Sequence, residues 1–337
     1  NAYTTNDLTN YYCQLPAENI ETAFWLESDR MLSLAFDEKS LEVQRKVVCE
    51  EFKEHYLNKP YGDVWHKMRN LAFIRHPYRW MTIGAELSHI ENATLEDVKA
   101  FFYKHYRPVN AILTVAGHVK TAQVQELAEK WFGDIPSGER YIRRLPQEPV
   151  QTSPRKQEIH ANVPVDAFYK SWHICSRSDS RYYATDLLTE VLSGGGSSRL
   201  FQSLVKEKQI FSNIGCYHFG SMDAGLVTIE GKLVKGVKME DVEAAVESEL
   251  QKIKDTTVDE KELRKVKNKT ESLITFEDMS LMNRAGSLSF YTLMGNTNII
   301  NEELDRFQQV SAAALRHEAE TVFDNNNSSV LYYFGNH

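Results

Sequence analysis

The sequence predicts two homologous α+β domains, each a mostly antiparallel sheet with helices on one face, the first of them incomplete. Three observations lead there. The chain has 337 residues, more than one hydrophobic core usually spans. Short apolar strand-like runs are interspersed with longer amphipathic helical patterns. And the chain repeats itself: Asn110 to Gly117 (NAILTVAG) and Ser328 to Gly335 (SSVLYYFG) are both apolar runs closed by Gly and preceded by a helix and a polar turn. The same offset of 218 residues lays Leu8 to Cys13 on Leu226 to Gly231. Two matches in one register mark a duplication.

The elements follow in order. Leu8 to Leu15, rich in Tyr and Thr, reads as a strand. Ala17 to Leu34 reads as a helix through Ile20, Phe24, Leu26 and Met31. Leu41 to Leu57 is a charged amphipathic helix, and Tyr61 to Arg75 another that ends before His76-Pro77. Thr94 caps a helix from Leu95 to His105, with Asp97 three residues on. Asn110 to Gly117 reads as a strand and Thr121 to Phe132 as a helix stopping before Gly133. Five of the nine prolines fall between Ile135 and Pro164, and the centre of that stretch is the linker. The expected division is residues 1–145 for the N-terminal domain, 146–158 for the linker and 159–337 for its homologue. Beyond the linker, Phe168 to Cys175 is a strand and Tyr182 to Leu192 a helix stopped by Gly194-Gly195-Gly196. A short helix spans Arg199 to Glu207, and strands span Phe211 to His218 and Gly225 to Leu233. Helices are expected from Glu240 to Ile253, Asp259 to Glu277 and Glu303 to Val322, and a last strand from Ser329 to Gly335.

Composition narrows the function. Hydrophobic residues make up 42% and charged residues 26%, enough to build cores, which excludes wholesale disorder. Acidic residues outnumber basic ones 47 to 39, a net charge of −8, which argues against a nucleic-acid partner. No apolar run is long enough to cross a bilayer, so the expectation is a soluble chain, cytoplasmic or periplasmic. Cys13, Cys49, Cys175 and Cys216 form no C-x-x-C pair and read as buried free thiols. The first residue is not Met, and residues 159–218 have no counterpart in the first half. Together these suggest that Asn1 lies inside a longer polypeptide and that a strand–helix–loop–strand segment of about 60 residues is missing.

The residues alone identify no complete catalytic site. Neither H-E-x-x-H nor H-x-x-E-H occurs, and the eleven His are scattered. Glu51 and His55 share a helix face, but two ligands do not make a zinc site, and a solvated acidic face is the simpler reading. The glycine run 194–196 lacks the Gly-Lys-Ser/Thr of a phosphate loop and reads as a flexible or tight-turn loop. His76 and His118 show no partner base or metal.

Several segments nevertheless resemble the pitrilysin/insulinase family of zinc metallopeptidases, the inverzincins, and particularly its processing-peptidase-like branch. Asn1-Ala2-Tyr3-Thr4-Thr5, followed by Thr9-Asn10-Tyr11-Tyr12, is similar to the strand that follows the family's H-x-x-E-H helix. Val47-Val48-Cys49-Glu50-Glu51 resembles the helix carrying the third zinc ligand. Tyr106-Arg107-Pro108, Asn110 and Val115-Ala116-Gly117 resemble a Y-x-P-x-N … V-x-G segment, and Leu192 to Phe201 the G-G-x-S-S-R-L-F loop of the second domain.

The resemblance implies zinc in the parent protein, with Glu51 as one ligand. It also implies that two His ligands and the general base lie in an upstream segment, so that this chain alone binds no zinc and hydrolyses nothing. It implies that Asn1, Ala2, Tyr3 and Thr4 hold an extended peptide substrate by backbone pairing. Lys206 and Asn213 stand where many members have an Arg/Tyr pair that helps hold substrate, and Gln44 stands where active members have a second Glu. Losing the Arg/Tyr pair while keeping Glu51 fits the zinc-bearing chain of a two-chain peptidase, so a sister subunit or a second copy is the expected partner. A non-catalytic structural subunit and a plain peptide-binding module remain alternatives.

Overall fold

The computed structural model describes residues 1–336. In chain order its elements are β1 (Ala2–Thr4), β2 (Thr9–Tyr11), α1 (Ile20–Leu32), α2 (Glu38–Phe52), α3 (Val64–Ala72), α4 (Leu87–Glu91), α5 (Leu95–His105) and α6 (Thr121–Phe132). Then come β3 (Arg155–Ala161), β4 (Ala167–His173), α7 (Tyr182–Ser193), β5 (Phe211–His218), β6 (Leu226–Leu233), α8 (Met239–Asp255), α9 (Glu260–Glu277), α10 (Leu281–Leu293), α11 (Ile299–Gln309), α12 (Ala312–Val322) and β7 (Ser328–Gly335). The fold is α+β with mostly antiparallel strands, as expected.

Two compact units form. One comprises Asn1–Leu57, Thr82–Arg144 and Thr275–Asn301, and the other Asn58–Met81, Leu145–Ile274 and Glu302–His337. The segments that break the simple order, 58–81 and 275–301, are themselves related by the 218-residue offset, and each contributes one helix, α3 or α10. In the same register β6 falls on β2, α8 on α1, α9 on α2 and α12 on α5.

The second unit is built on a five-stranded sheet of order β3-β7-β4-β6-β5, antiparallel except for the β3–β7 pair. Side chains alternate across a strand, and β4 is buried on both faces because both are covered. Phe168 and Trp172 enter a core with Leu187, Leu188 and Val191 of α7, Val246 and Leu250 of α8, and Leu315 and Ala319 of α12. Ala167 and Tyr169 face the other way, against Val64 and Met68 of α3 together with Leu331 and Tyr333. The strap 58–81 thus lies across the sheet. Tyr61 donates to the Val165 carbonyl at 2.6 Å, and Tyr333 donates to Asp63 at 2.9 Å.

In the first unit β1 and β2 form a hairpin and helices make up most of the rest. Here the expected strand Asn110 to Gly117 does not form: Pro108–Asn110 makes a turn of 3-10 helix and the rest is extended but unpaired. The reason is the lack of neighbours. Its counterpart β7 is flanked by β3 and β4, whereas this run has no strand beside it among the described residues. A strand without neighbours has no ladder, so Ile112 and Leu113 are 40% and 52% exposed. Helix α10 still touches this stretch, Ser289 donating to Thr114 at 2.7 Å.

Other differences have local causes. The expected helix Glu303 to Val322 is two helices, because Ser311 caps α12 by accepting from the Ala314 N–H. Strand β3 begins inside the expected linker, and α10 was not anticipated. The helix ending at Leu57 is α-helical to Phe52 and then π-helical over Lys53–Leu57. The cysteines are free; Cys49 and Cys216 are buried, but Cys175 is only half-buried and Cys13 is exposed.

Candidate metal and peptide site

The first candidate region is the hairpin at the start of the chain. Thr5 builds its turn: its hydroxyl accepts from the N–H groups of Asp7 and Leu8, and its own N–H donates to the Leu8 carbonyl. Pairing then sets Ala2 opposite Tyr11, Tyr3 opposite Asn10 and Thr4 opposite Thr9. The Asn1 ammonium donates to the Tyr12 carbonyl at 2.8 Å. Tyr11 anchors the ribbon, its hydroxyl 2.7 Å from that of Tyr106 and its ring under the Arg30 guanidinium at 4.5 Å. Burial raises the Tyr106 phenol well above its ordinary range, and the Tyr11 hydrogen bond adds to it. Ala2, Tyr3 and Thr4 therefore form one exposed strand, with Asn1 exposed immediately before it. One edge of β1 is used by β2, and the other carries no strand among the described residues.

The second region is α2. Asp37 caps it by accepting from the Ser40 N–H at 2.9 Å. Cys49 and Phe52 pack inward, whereas Val43, Gln44, Val47 and Glu51 are exposed. Glu51 thus shares its side of the helix with two valines more than half exposed. Its neighbour Glu50 is engaged with Lys53 at 2.8 Å and lines a charged depression with Glu42, Arg45, Lys46 and Glu91. His55 lies in the π turn, which alters the one-turn spacing that put it on the face of Glu51. Among the described residues no three His, Cys, Asp or Glu come together as a metal site. One exposed carboxylate cannot hold zinc, which takes at least three protein ligands, so the residues present do not fit the ion by themselves.

Lys206 and Asn213 belong to the second unit. Lys206 lies in the π-helical turn Phe201–Glu207, exposed, its ammonium 5.4 Å from the centre of the Phe201 ring. Asn213 is exposed on the edge strand β5, its Oδ1 accepting from the Lys232 N–H at 3.3 Å. Each has its own local partner. The glycine run before them is a tight turn, with Ser198 donating to the Gly195 carbonyl through both N–H and hydroxyl. Helix α9 pins this turn: Arg199 forks onto Glu262, Lys265 reaches Ser197, and Lys269 reaches Glu190 and the Gly194 carbonyl. Sequence reasoning missed this clasp, and it missed the support that Tyr106 and Arg30 give the hairpin. No periodicity signals contacts this distant in sequence.

Residues 92–270 match the model of the peptidase M16 inactive domain. That is more than half of the chain. The chain belongs to the M16 peptidase family. It is 26% identical over 337 residues to the zinc protease PqqE of Helicobacter pylori, covering 98% of this chain and 75% of that protein. It is 24% identical to the zinc protease YmxG of Bacillus subtilis, covering 96% and 78%. The crystal structure of a protease from Helicobacter pylori superposes with a TM-score of 0.92 at 25% identity, covering 99% of this chain and 81% of that one. The M16 inactive domain from Pseudomonas fluorescens shares the fold, with a TM-score of 0.83 at 16% identity. The pitrilysin/insulinase resemblance thus holds. No helix of the described residues is long and apolar enough to cross a membrane.

Proposed function

We propose that this M16 chain is the peptide-holding, non-catalytic part of a zinc peptidase. In this reading Glu51 is one ligand of a metal centre whose other ligands and general base come from residues beyond those described. The hairpin strand β1 carries the reading furthest. Its open edge offers backbone N–H and C=O groups to an extended peptide, and main-chain pairing of that kind tolerates many sequences. The match to the M16 inactive domain supports the non-catalytic assignment, and the zinc protease names of its relatives support zinc as the metal of the assembled enzyme. Lys206 and Asn213 are proposed as further peptide contacts. A sister subunit or a second copy is proposed as the partner that completes the enclosure.

The test is fluorescence anisotropy with an extended decapeptide and a copy N-methylated at alternate residues. Strand pairing predicts that the unmodified peptide binds, and that methylation on one set of alternate positions abolishes binding while the other set is tolerated. Equal binding of all three peptides, or none, refutes the β1 assignment.

A further inference from the structure

The strap 58–81 is held on the sheet in two different ways. Its first half uses tyrosine hydrogen bonds, Tyr61 to the Val165 carbonyl and Tyr333 to Asp63, and the burial of Val64 and Met68. Its second half packs Ala72, Phe73 and Tyr78 on Leu226 of β6 and adds a set of ionisable groups. Arg155 donates to the Leu71 and Ala72 carbonyls at the end of α3. The Glu148 carboxylate accepts from three successive N–H groups, those of Ile74, Arg75 and His76, at 2.8–2.9 Å. His76 Nδ1 accepts from the Tyr78 N–H, so its Nε2 carries the proton toward Asp223 at 2.9 Å. Beneath this turn sits His173, the last residue of β4, its ring centre 5.0 Å from that of Phe73. Its Nε2 is out of contact with solvent and has no hydrogen-bond partner.

We propose that His173 makes the second half of the strap a proton-released latch: uptake of one proton at this imidazole lifts residues 72–81 from the sheet and uncovers Leu226. A protonated Nε2 here would be a buried donor without an acceptor, and such a group is costly. The groups that act on its charge are Glu148, the Asn327 side chain and the Ala72 backbone, which favour the imidazolium, Arg155 from β3, which opposes it, and the His76–Asp223 pair beyond Phe73. Burial, the largest influence, outweighs all three and holds the His173 imidazole below its ordinary range. The closed strap therefore binds fewer protons than the open one. Its hold is complete above the ordinary histidine range and weakens as pH falls below it.

Hydrogen exchange of the full chain between pH 7.5 and 5.5, corrected for intrinsic rates, reads this directly. Protection of amides 72–81 should fall by up to about tenfold per pH unit below about 6.5, while β6 and β7 hold theirs. His173→Phe keeps the ring packing and should remove the slope, and His173→Gln serves if that variant folds poorly. A flat profile in the wild type overturns the latch, and so does an unchanged slope in both variants. Peptide binding is measured separately, so failure of one proposal leaves the other standing.

Discussion

Truncating Met68 to Ala tests whether residues 58–81 belong to the second unit. The Met68 side chain is fully buried, packed with Val64 against Ala167, Tyr169, Leu331 and Tyr333. Burying a side chain of this size contributes about 1.5–3 kcal/mol from transfer alone. The sheet beneath is fixed by ladders on both sides of β4 and β7 and cannot collapse into the gap, so a cavity cost adds, giving about 2–5 kcal/mol in all. For a unit of this size that is roughly 2–4 °C of melting temperature per kcal/mol. Two units can open separately, so exchange resolved by segment is the assay. Protection should fall in α3, β4 and β7 and stay unchanged in β1, β2, α1 and α5. Lys67→Ala is the control: its ion pair with Asp63 is 3.4 Å long and about one-third exposed on both sides, so the change should stay under about 0.5 kcal/mol. A loss below about 1 kcal/mol for Met68→Ala, or a loss spread evenly over both units, would refute the packing argument.

Two further predictions concern buried charge. Lys170 is 2% exposed and donates to Glu243 at 2.8 Å and Glu247 at 2.6 Å. Lys170→Ala should cost about 3–5 kcal/mol by stranding those carboxylates, and Lys170→Met, which strands them equally, should recover only the packing of the aliphatic stem; a loss under about 1 kcal/mol for Lys170→Met in urea melts would contradict this. Glu318, buried between α12 and α7, accepts from Thr185 at 2.7 Å, yet burial raises its pKa. The folded state then holds this proton more tightly than the unfolded one. That contribution is full below the ordinary carboxylate range and lost as pH rises through the folded pKa. Glu318→Gln stays neutral and keeps an acceptor for Thr185, so its melting temperature should gain on the wild type as pH rises. A difference independent of pH would show that the carboxyl does not titrate there.

Elements whose signals are local were legible in the sequence. Helix α5 runs from Leu95 to His105 as expected because Thr94 and Asp97 close a capping box that needs no distant partner. Helix α6 likewise ends before Gly133. What failed depends on neighbours. The run Asn110 to Gly117 has the composition of β7 but pairs with no strand among the described residues. Val310 and Ser311 keep the apolar rhythm of a single helix, and only the cap formed by Ser311 reveals the break. Gly286, Ser287 and Ser289 hid α10, whose small polar residues mask its helical stripe. At the site, Glu51 was one acidic residue among 47, and family resemblance rather than physics singled it out. His173 and Phe73 meet across 100 residues of sequence, and no spacing rule connects them.

The duplication bears on Glu51 in one more way. In the 218-residue register Gln44 corresponds to Glu262, and Glu51 to Lys269. Those two α9 residues grip the end of α7 and the turn after it, Lys269 on Glu190 and the Gly194 carbonyl, Glu262 on Arg199. The second unit thus places an ammonium against a carboxylate and a helix C-terminus, where positive charge is favoured. In the first unit the same place on α2 carries a carboxylate, left exposed beside Val43 and Val47. The sign is inverted, so if the proposed partner segment packs on that face as α9 packs on its turn, the cation has to come from the partner segment rather than from α2. A lysine opposite would suffice for structure alone. The inversion of charge does not by itself distinguish a ligand from a solvated acid, but a metal ion held by neutral ligands would meet the same need, so it is compatible with the proposed role of Glu51 as a ligand.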